Sequence, residues 1–498
     1  VDTTRALIGR TLVFGIPGPT VTDADKRLFR DTGASGLILY RINYRSPAQI
    51  RALIRDLEEA VERRLLVTVD HEGGRVVMFG GGVTVFPDNL AFGNAGRADW
   101  ARAEGRVEGR ELRRLGIDVN FSPTVDVLTD AFSPNIGIRS YGRDPRRVGA
   151  LAAARIRALQ AEGVSACAKH FPGLGPATRD PHLDLPVIDT GWAELRRRPL
   201  APFRAALRAG VDLVMTSHPL YPRLTGGERI PVTFSRRLTH DLLRSELGFR
   251  GVIASDDLEM GALKRFGGPG PSAVRAARAG HDLLLCCHRA DWQRNVYSSL
   301  TAALRSGEIK TADLERSVER IDALRGAHRP RFAPGTPRPE RGGVALADRV
   351  ARAGLRTRPG RAPLPVPATS RTLILFPRLR PLAKNIFIES ELQNPADLFP
   401  PAPRLRLLPI DPGREDIARA RAAANRSDAV VFFCYDAHLQ PGNRRLLKTL
   451  EALGVPLVLV ALRDPYDIEF ARPATTVVTA TGFRRCQVAA ARRAVFGR

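Results

Sequence analysis

Short runs of Val, Ile and Leu recur along the first two-thirds of the chain, at 11–15, 36–40, 65–69, 117–121, 164–168, 212–216, 251–255 and 282–286. Each is apolar at both odd and even positions, the pattern of a strand covered on both faces. Between them lie amphipathic stretches such as 47–64, 99–115, 145–162 and 195–209, with Leu and Ala at helical spacing. Eight such strands alternating with helices predict an α/β protein built on a parallel (β/α)8 barrel, with an open doubly wound sheet as the rival arrangement.

The pattern changes after residue 325. Residues 328–341 carry five prolines or glycines among arginines, and 358–367 is a second Pro-rich stretch. A helix is expected between them at 344–355. Apolar strand candidates resume at 372–376, 429–434, 456–461 and 476–480, with a helix at 444–453 among them. The expected organisation is a barrel over 1–327, a Pro/Arg-rich linker over 328–369 and a smaller α/β sandwich domain over 370–498.

Composition narrows the function classes. The hydrophobic share of 44% and charged share of 26% are ordinary for a globular chain. No apolar run approaches the roughly 18 residues that would span a bilayer. The formal charge is +25, yet only six of the 77 basic residues are lysine, and the arginines spread over nearly every helical stretch instead of clustering. That spread argues against a nucleic-acid surface. Of the five cysteines, Cys286 and Cys287 are adjacent, a poor geometry for a disulfide, and no zinc-type C-x2-C spacing occurs. Reduced thiols and the lack of an apolar leader in residues 1–10 point to the cytoplasm. A start at Val rather than Met keeps a secreted or lipid-anchored form open.

In such a barrel, chemistry sits just beyond the C-terminal ends of the strands. The segment at 65–69 is followed by Asp70, His71 and Glu72, then two glycines. The 117–121 strand leads through Asp126 to Asn135 and Arg139. After 164–168 come Lys169, His170, the Gly-rich 173–175, and then Asp180 and His182. The last two informative ends are Ser217-His218 and Ser255-Asp256-Asp257.

Lys169 and His170 form either a surface pair or a ligand-binding pair. The use of a lysine in an arginine-dominated chain favours ligand. Asp180 can orient His182 for proton transfer, or its Asp-Pro sequence can simply open a turn. One of Asp256 and Asp257 is expected to serve as a nucleophile and the other to cap a helix over 258–264, with the order undecided. Glu72 is expected to pair with a nearby arginine. His170, Asp180 and His182 could in principle ligate zinc. The lack of H-x-H after the first strand, and of H-E-x-x-H anywhere, weighs against a metal.

Taken together, 69–75 (VDHEGGR), 136–141, 169–175 with Asp180 and His182, and 246–260 (ELGFRGVIASDDLEM) resemble glycoside hydrolase family 3, specifically its bacterial β-N-acetylhexosaminidases. The 461–468 stretch (ALRDPYDI) is similar to the second domain of two-domain members. The resemblance implies a retaining exo-β-N-acetylglucosaminidase acting on N-acetylglucosaminides such as muropeptide fragments, with neither metal nor organic cofactor. It implies Asp256 as nucleophile, His182 oriented by Asp180 as acid/base, and Asp70, Arg139, Lys169 and His170 as sugar-binding residues. Leu174, Pro181, Met78 and His71 depart from the family pattern. The alternatives are phosphorolysis with inorganic phosphate as co-substrate, a β-glucosidase or xylosidase, and a sugar-binding homologue without turnover.

Overall fold

The computed structural model describes residues 3–129, 133, 135–175, 185–326, 332, 337–384 and 386–497. Eight parallel strands form the first sheet: β1 (Leu12–Phe14), β2 (Gly36–Leu39), β3 (Leu66–Val69), β4 (Val119–Asn120), β5 (Ser165–Phe171), β6 (Leu213–Thr216), β7 (Val252–Ala254) and β8 (Leu284–Cys286). Each pairs with its neighbour in sequence, and β8 returns to β1. Between β7 and β8 the barrel closes through an isolated bridge at Ala254 and Leu283, with the Ser255 amide donating to the Leu283 carbonyl at 2.9 Å.

Strand alternation explains why both faces read as apolar. Val13, Ile38, Leu66, Val119, Phe121, Cys167, Leu213, Met215, Val252 and Leu285 fill the barrel interior. Leu12, Phe14, Leu37, Leu39, Val67 and Val69 face the surrounding helices. Local sequence sets the helix ends. The Pro47–Val61 helix starts where the Ser46 hydroxyl accepts from the Gln49 amide at 3.2 Å and Pro47 takes the first turn, where no N–H is needed. The helix expected over 195–209 is divided into Trp192–Arg197 and Leu200–Arg208, because Pro199 cannot donate the bond that would continue it. The short helix expected after Asp257 is a 3-10 segment at Gly261–Phe266.

The second sheet has six strands in the order β11-β10-β12-β13-β14-β9. They are β9 (Arg356–Arg358), β10 (Thr372–Pro377), β11 (Arg404–Leu408), β12 (Ala429–Tyr435), β13 (Leu457–Leu462) and β14 (Thr476–Thr479). Only β9 runs antiparallel. Apolar clusters cover both faces of the sheet, Ile374 and Phe376 on one and Leu373 and Leu375 on the other. The helix Arg341–Gly354 packs against Asn89–Ala95 of the barrel and against Arg485–Phe496 of the second body, so it joins the two. Among the described residues no helix is long and apolar enough to cross a membrane, and all five cysteines are buried and unbridged.

Candidate active site

A cleft of about 550 Å³ opens at the C-terminal ends of the barrel strands. Asp70, Glu72, Arg139, Lys169, His170, Asp256 and Asp257 line it, with Tyr40, Arg75, Met78, Asn135 and His288 around them. The residues arrive from the ends of β2, β3, β5, β7 and β8 and from the loop after β4, where the barrel twist turns strand ends inward.

Its floor is a lattice of alternating charge. Glu72, 3% exposed, accepts from Arg139 Nη2 at 2.7 Å and Nε at 2.9 Å, and from Thr124 Oγ1 at 3.1 Å. Lys169 Nζ lies 2.7 Å from the Glu72 carboxylate and donates to Asp70 Oδ1 at 2.5 Å. Burial alone would push the Glu72 carboxyl up, but Arg139 and Lys169 together hold it well below the ordinary carboxylate range. Burial opposes the charge on Lys169, and Asp70 with Glu72 outweighs that and raises it. Both cations therefore stay charged and fixed, donors pre-aimed into the cleft.

His170 is held from behind. Its Nδ1 lies 2.7 Å from Asp126 Oδ2, its backbone N–H donates to the same oxygen at 3.1 Å, and Asp126 Oδ1 accepts the Leu174 amide at 2.5 Å. The Asp126 contact fixes the Nδ1–H tautomer and turns Nε2 towards Arg139 Nη2, 3.3 Å away. A second buried layer braces this floor. Arg155 donates to the Glu72 carbonyl at 2.8 Å, to Asn89 Oδ1 at 3.0 Å and to Glu108 at 2.9 Å, while Asn89 Nδ2 donates to the Arg139 carbonyl at 2.7 Å. Glu104 and Glu108 share this one guanidinium, and burial pushes both carboxyls up.

The two aspartates after β7 separate by environment. Asp257 Oδ1 accepts the amides of Glu259 at 3.1 Å and Cys287 at 3.2 Å, and Oδ2 faces His288 Nε2 at 3.3 Å. It ties the turn after β7 to the end of β8. Asp256 Oδ1 accepts the Asp257 amide at 2.9 Å, and its carboxylate lines the cleft. The hydrogen bond to Asp257 raises the His288 imidazole above its ordinary value, and the ring packs against Tyr40 with centroids 4.9 Å apart and planes tilted by 39°.

The second body reaches the same cleft. Ile386 lines it, and the adjoining Phe387 lies between Arg41 and Arg484, whose guanidinium carbons stand 5.4 and 5.5 Å from the ring. Arg484, fully buried, donates to the Gly74 carbonyl in the loop after β3. Asp464 Oδ1 accepts the Ile138 amide at 2.9 Å, one residue from Arg139.

Of the residues expected from the sequence, Asp70, Arg139, Lys169, His170 and Asp256 meet in this one cleft. Asp180 and His182, like Pro181, lie outside the described residues. Glu72 has the expected arginine partner and a lysine besides. His71 turns away from the cleft, stacked on Phe79 at 5.7 Å, and burial pushes it down to about 3, so it is neutral. Met78 lines the cleft, and its amide donates to His71 Nδ1 at 3.3 Å. Sequence reasoning did not single out His288, although it directly follows a strand end. The anchoring role of Asp126 and the contribution of Ile386 carry no local signal.

Residues 11–324 match the glycosyl hydrolase family 3 N-terminal domain. A β-hexosaminidase of Nitrosomonas eutropha is 33% identical over 325 residues, 64% of this chain and 92% of its own length. One of Thiobacillus denitrificans is 36% identical over 295 residues, 58% of this chain and 81% of its own. A solved family 3 β-N-acetylglucosaminidase from Paenibacillus sp. str. FPU-7 superposes with a TM-score of 0.93 at 31% identity, covering 100% of this chain and 97% of that one. With an eight-stranded barrel, an acid-lined cleft at its strand ends and an appended α/β body, the chain belongs to glycosyl hydrolase family 3, in its bacterial β-hexosaminidase group.

Proposed function

We propose that this glycoside hydrolase is a retaining exo-β-N-acetylglucosaminidase, releasing N-acetylglucosamine from glycosides such as peptidoglycan fragments. The carrying observation is the placement of Asp256 in one cleft with the paired sets Lys169–Asp70, Arg139–Glu72 and His170–Asp126. Fixed donors and acceptors of this kind match a ring of sugar hydroxyls, each of which both gives and takes a hydrogen bond. The named activities of the relatives, β-hexosaminidase and β-N-acetylglucosaminidase, support the N-acetyl sugar.

In the proposed reaction Asp256 attacks the anomeric carbon as His182, oriented by Asp180, protonates the leaving oxygen. His182 then takes a proton from water, which attacks the same carbon and frees Asp256. A placed acid of this kind contributes about 10²–10⁴-fold. Retaining glycosidases ordinarily use two carboxyl groups, so an imidazole in one role is a departure from that pair. Asp70, Lys169, Arg139 and His170 hold the sugar, and Asp257 fixes the backbone that carries the nucleophile. No metal or organic cofactor takes part in the proposal.

The test is turnover of an aryl β-N-acetylglucosaminide beside the aryl β-glucoside, with and without phosphate. Hydrolysis of the N-acetyl substrate, abolished by Asp256→Ala and strongly reduced by His182→Ala, is expected. Sugar 1-phosphate as product would move the assignment to a phosphorylase using the same residues. Binding without turnover would move it to a sugar-binding homologue.

A further inference from the structure

A second polar cluster lies outside the cleft, at the C-terminal ends of β12 and β13, where the second body meets the barrel. We propose that Asp436, His438 and Asp464 bind a divalent transition-metal ion of the zinc class, with Asp467 orienting the histidine. One donor atom from each of Asp436, His438 and Asp464 lies within 4.8 Å of the other two. About 1 Å of inward side-chain movement closes that triangle to the 2.0–2.2 Å bonds zinc makes to nitrogen and oxygen. Two carboxylates with an imidazole suit such an ion better than magnesium or calcium, which take oxygen alone.

The hydrogen bonding points the same way. Asp436, Asp464 and Asp467 are each fully buried. Asp464 Oδ1 is committed to the Ile138 amide, while its Oδ2 accepts no hydrogen bond. Neither oxygen of Asp467 accepts one from a nitrogen or oxygen donor, although the Cys434 thiol stands beside this carboxylate. Asp467 Oδ1 instead faces His438 Nδ1 at 3.6 Å, the placement from which a carboxylate orients a metal-binding imidazole. Buried carboxylate oxygens without donors are costly.

The charge count agrees. Arg463 pairs with Asp436 Oδ2, and Arg75 stands 4.0 Å from Asp464 Oδ2. Two guanidiniums thus face three carboxylates, one negative charge in excess, which a cation offsets. Because Asp464 also holds the Ile138 amide beside Arg139, an ion here would brace the second body against the sugar-binding loop.

The proposal is independent of the catalytic assignment, and its readout is metal itself. The purified chain, stripped with chelator, is titrated with ZnSO₄ in a calorimeter and followed by thermal shift, beside His438→Gln, Asp467→Asn and His182→Ala. The expected result is one zinc per chain that raises the melting temperature. His438→Gln should weaken it at least 100-fold and Asp467→Asn 10–100-fold, while His182→Ala keeps it. Zinc binding undiminished in His438→Gln, or lost only in His182→Ala, overturns the proposal, as does no binding below 100 μM. Should His438→Gln fail to fold, anomalous diffraction from zinc-soaked wild-type crystals decides: a peak between Asp436, His438 and Asp464 supports the site, and its absence overturns it.

Discussion

Replacing Glu72 by Gln is the sharpest probe of the charge lattice. The change keeps the shape and removes one charge at a position 3% exposed. Breaking a buried ion pair by removing one partner costs about 3–5 kcal/mol, because the other charge is left buried. Two cations lean on Glu72, but they are not equally stranded. Lys169 keeps Asp70 at 2.5 Å. Arg139 keeps the Asn135 carbonyl at 3.0 Å and its side-chain oxygen at 3.2 Å, with His170 Nε2 at 3.3 Å, and it still feels the Asp126 and Asp70 carboxylates without a direct bond to either. The expected loss is therefore near the lower end, about 3 kcal/mol.

Urea unfolding followed by tryptophan fluorescence measures it cleanly, because Trp100, Trp192 and Trp292 all lie in the barrel. Adding Arg139→Met should recover part of the loss, giving a coupling of about 1.5–3 kcal/mol in the double-mutant cycle. Glu72 is held below the ordinary carboxylate range. Its stabilisation is thus present above the unfolded-state pKa and lost as pH falls through the depressed native value. The gap between wild type and Glu72→Gln should stay level from pH 8 to pH 5 and close only in stronger acid. A variant within about 0.5 kcal/mol of wild type, or an additive cycle, would refute the reasoning.

Asp126→Asn removes the charge that holds His170 Nδ1 and two backbone amides, so kcat/KM for the N-acetyl substrate should fall about 10–100-fold, about 1.4–2.8 kcal/mol of transition-state stabilisation. Burial pushes the Asp88 carboxyl up to about 7, so the native state keeps a proton that the unfolded chain releases, and stability is lost as pH rises from about 4 to 7. Asp88→Asn keeps the acceptor for the Arg75 amide and should flatten that slope, gaining about 2–4 kcal/mol at pH 8 in urea unfolding. At Gly137 (φ +42°) an added Cβ would stand 2.1 Å from Asp464 Oδ1. Gly137→Ala should loosen the second body, read as faster proteolysis between the bodies and a raised KM through Arg139.

Much of the fold is legible because burial imprints local periods. All eight barrel strands overlap the doubly apolar runs, since interior and helix-facing residues alternate along each strand, although β5 runs on to Phe171 and takes in Lys169 and His170, expected just beyond it. In the second sheet, β11 and β9 went unrecognised. Both are edge strands whose arginines interrupt the apolar pattern, RTR in β9 and RLRLL in β11, so no doubly apolar run marks them. The site was legible to the extent that chemistry follows strand ends, which brought out Asp70, Arg139, Lys169, His170 and Asp256. The local pattern does not separate Asp256 from Asp257, because both carboxylates follow the same strand; in the structure Asp257 accepts the Glu259 and Cys287 amides, whereas Asp256 accepts the Asp257 amide.

The sequence by itself determined the alternation of strands and helices, the polar residues at each strand end and the motifs of the family, all of them carried within a few neighbouring positions. The tertiary structure alone decided that Glu72 meets Arg139, 67 residues away, and that Asp464 meets the Ile138 amide, 326 residues away. It also decided that Ile386 walls a cleft built by another body. Charge pairing and hydrogen bonding act over a few ångströms whatever the separation along the chain, so these contacts leave no period in the sequence and exist only once the barrel and the second sheet have packed.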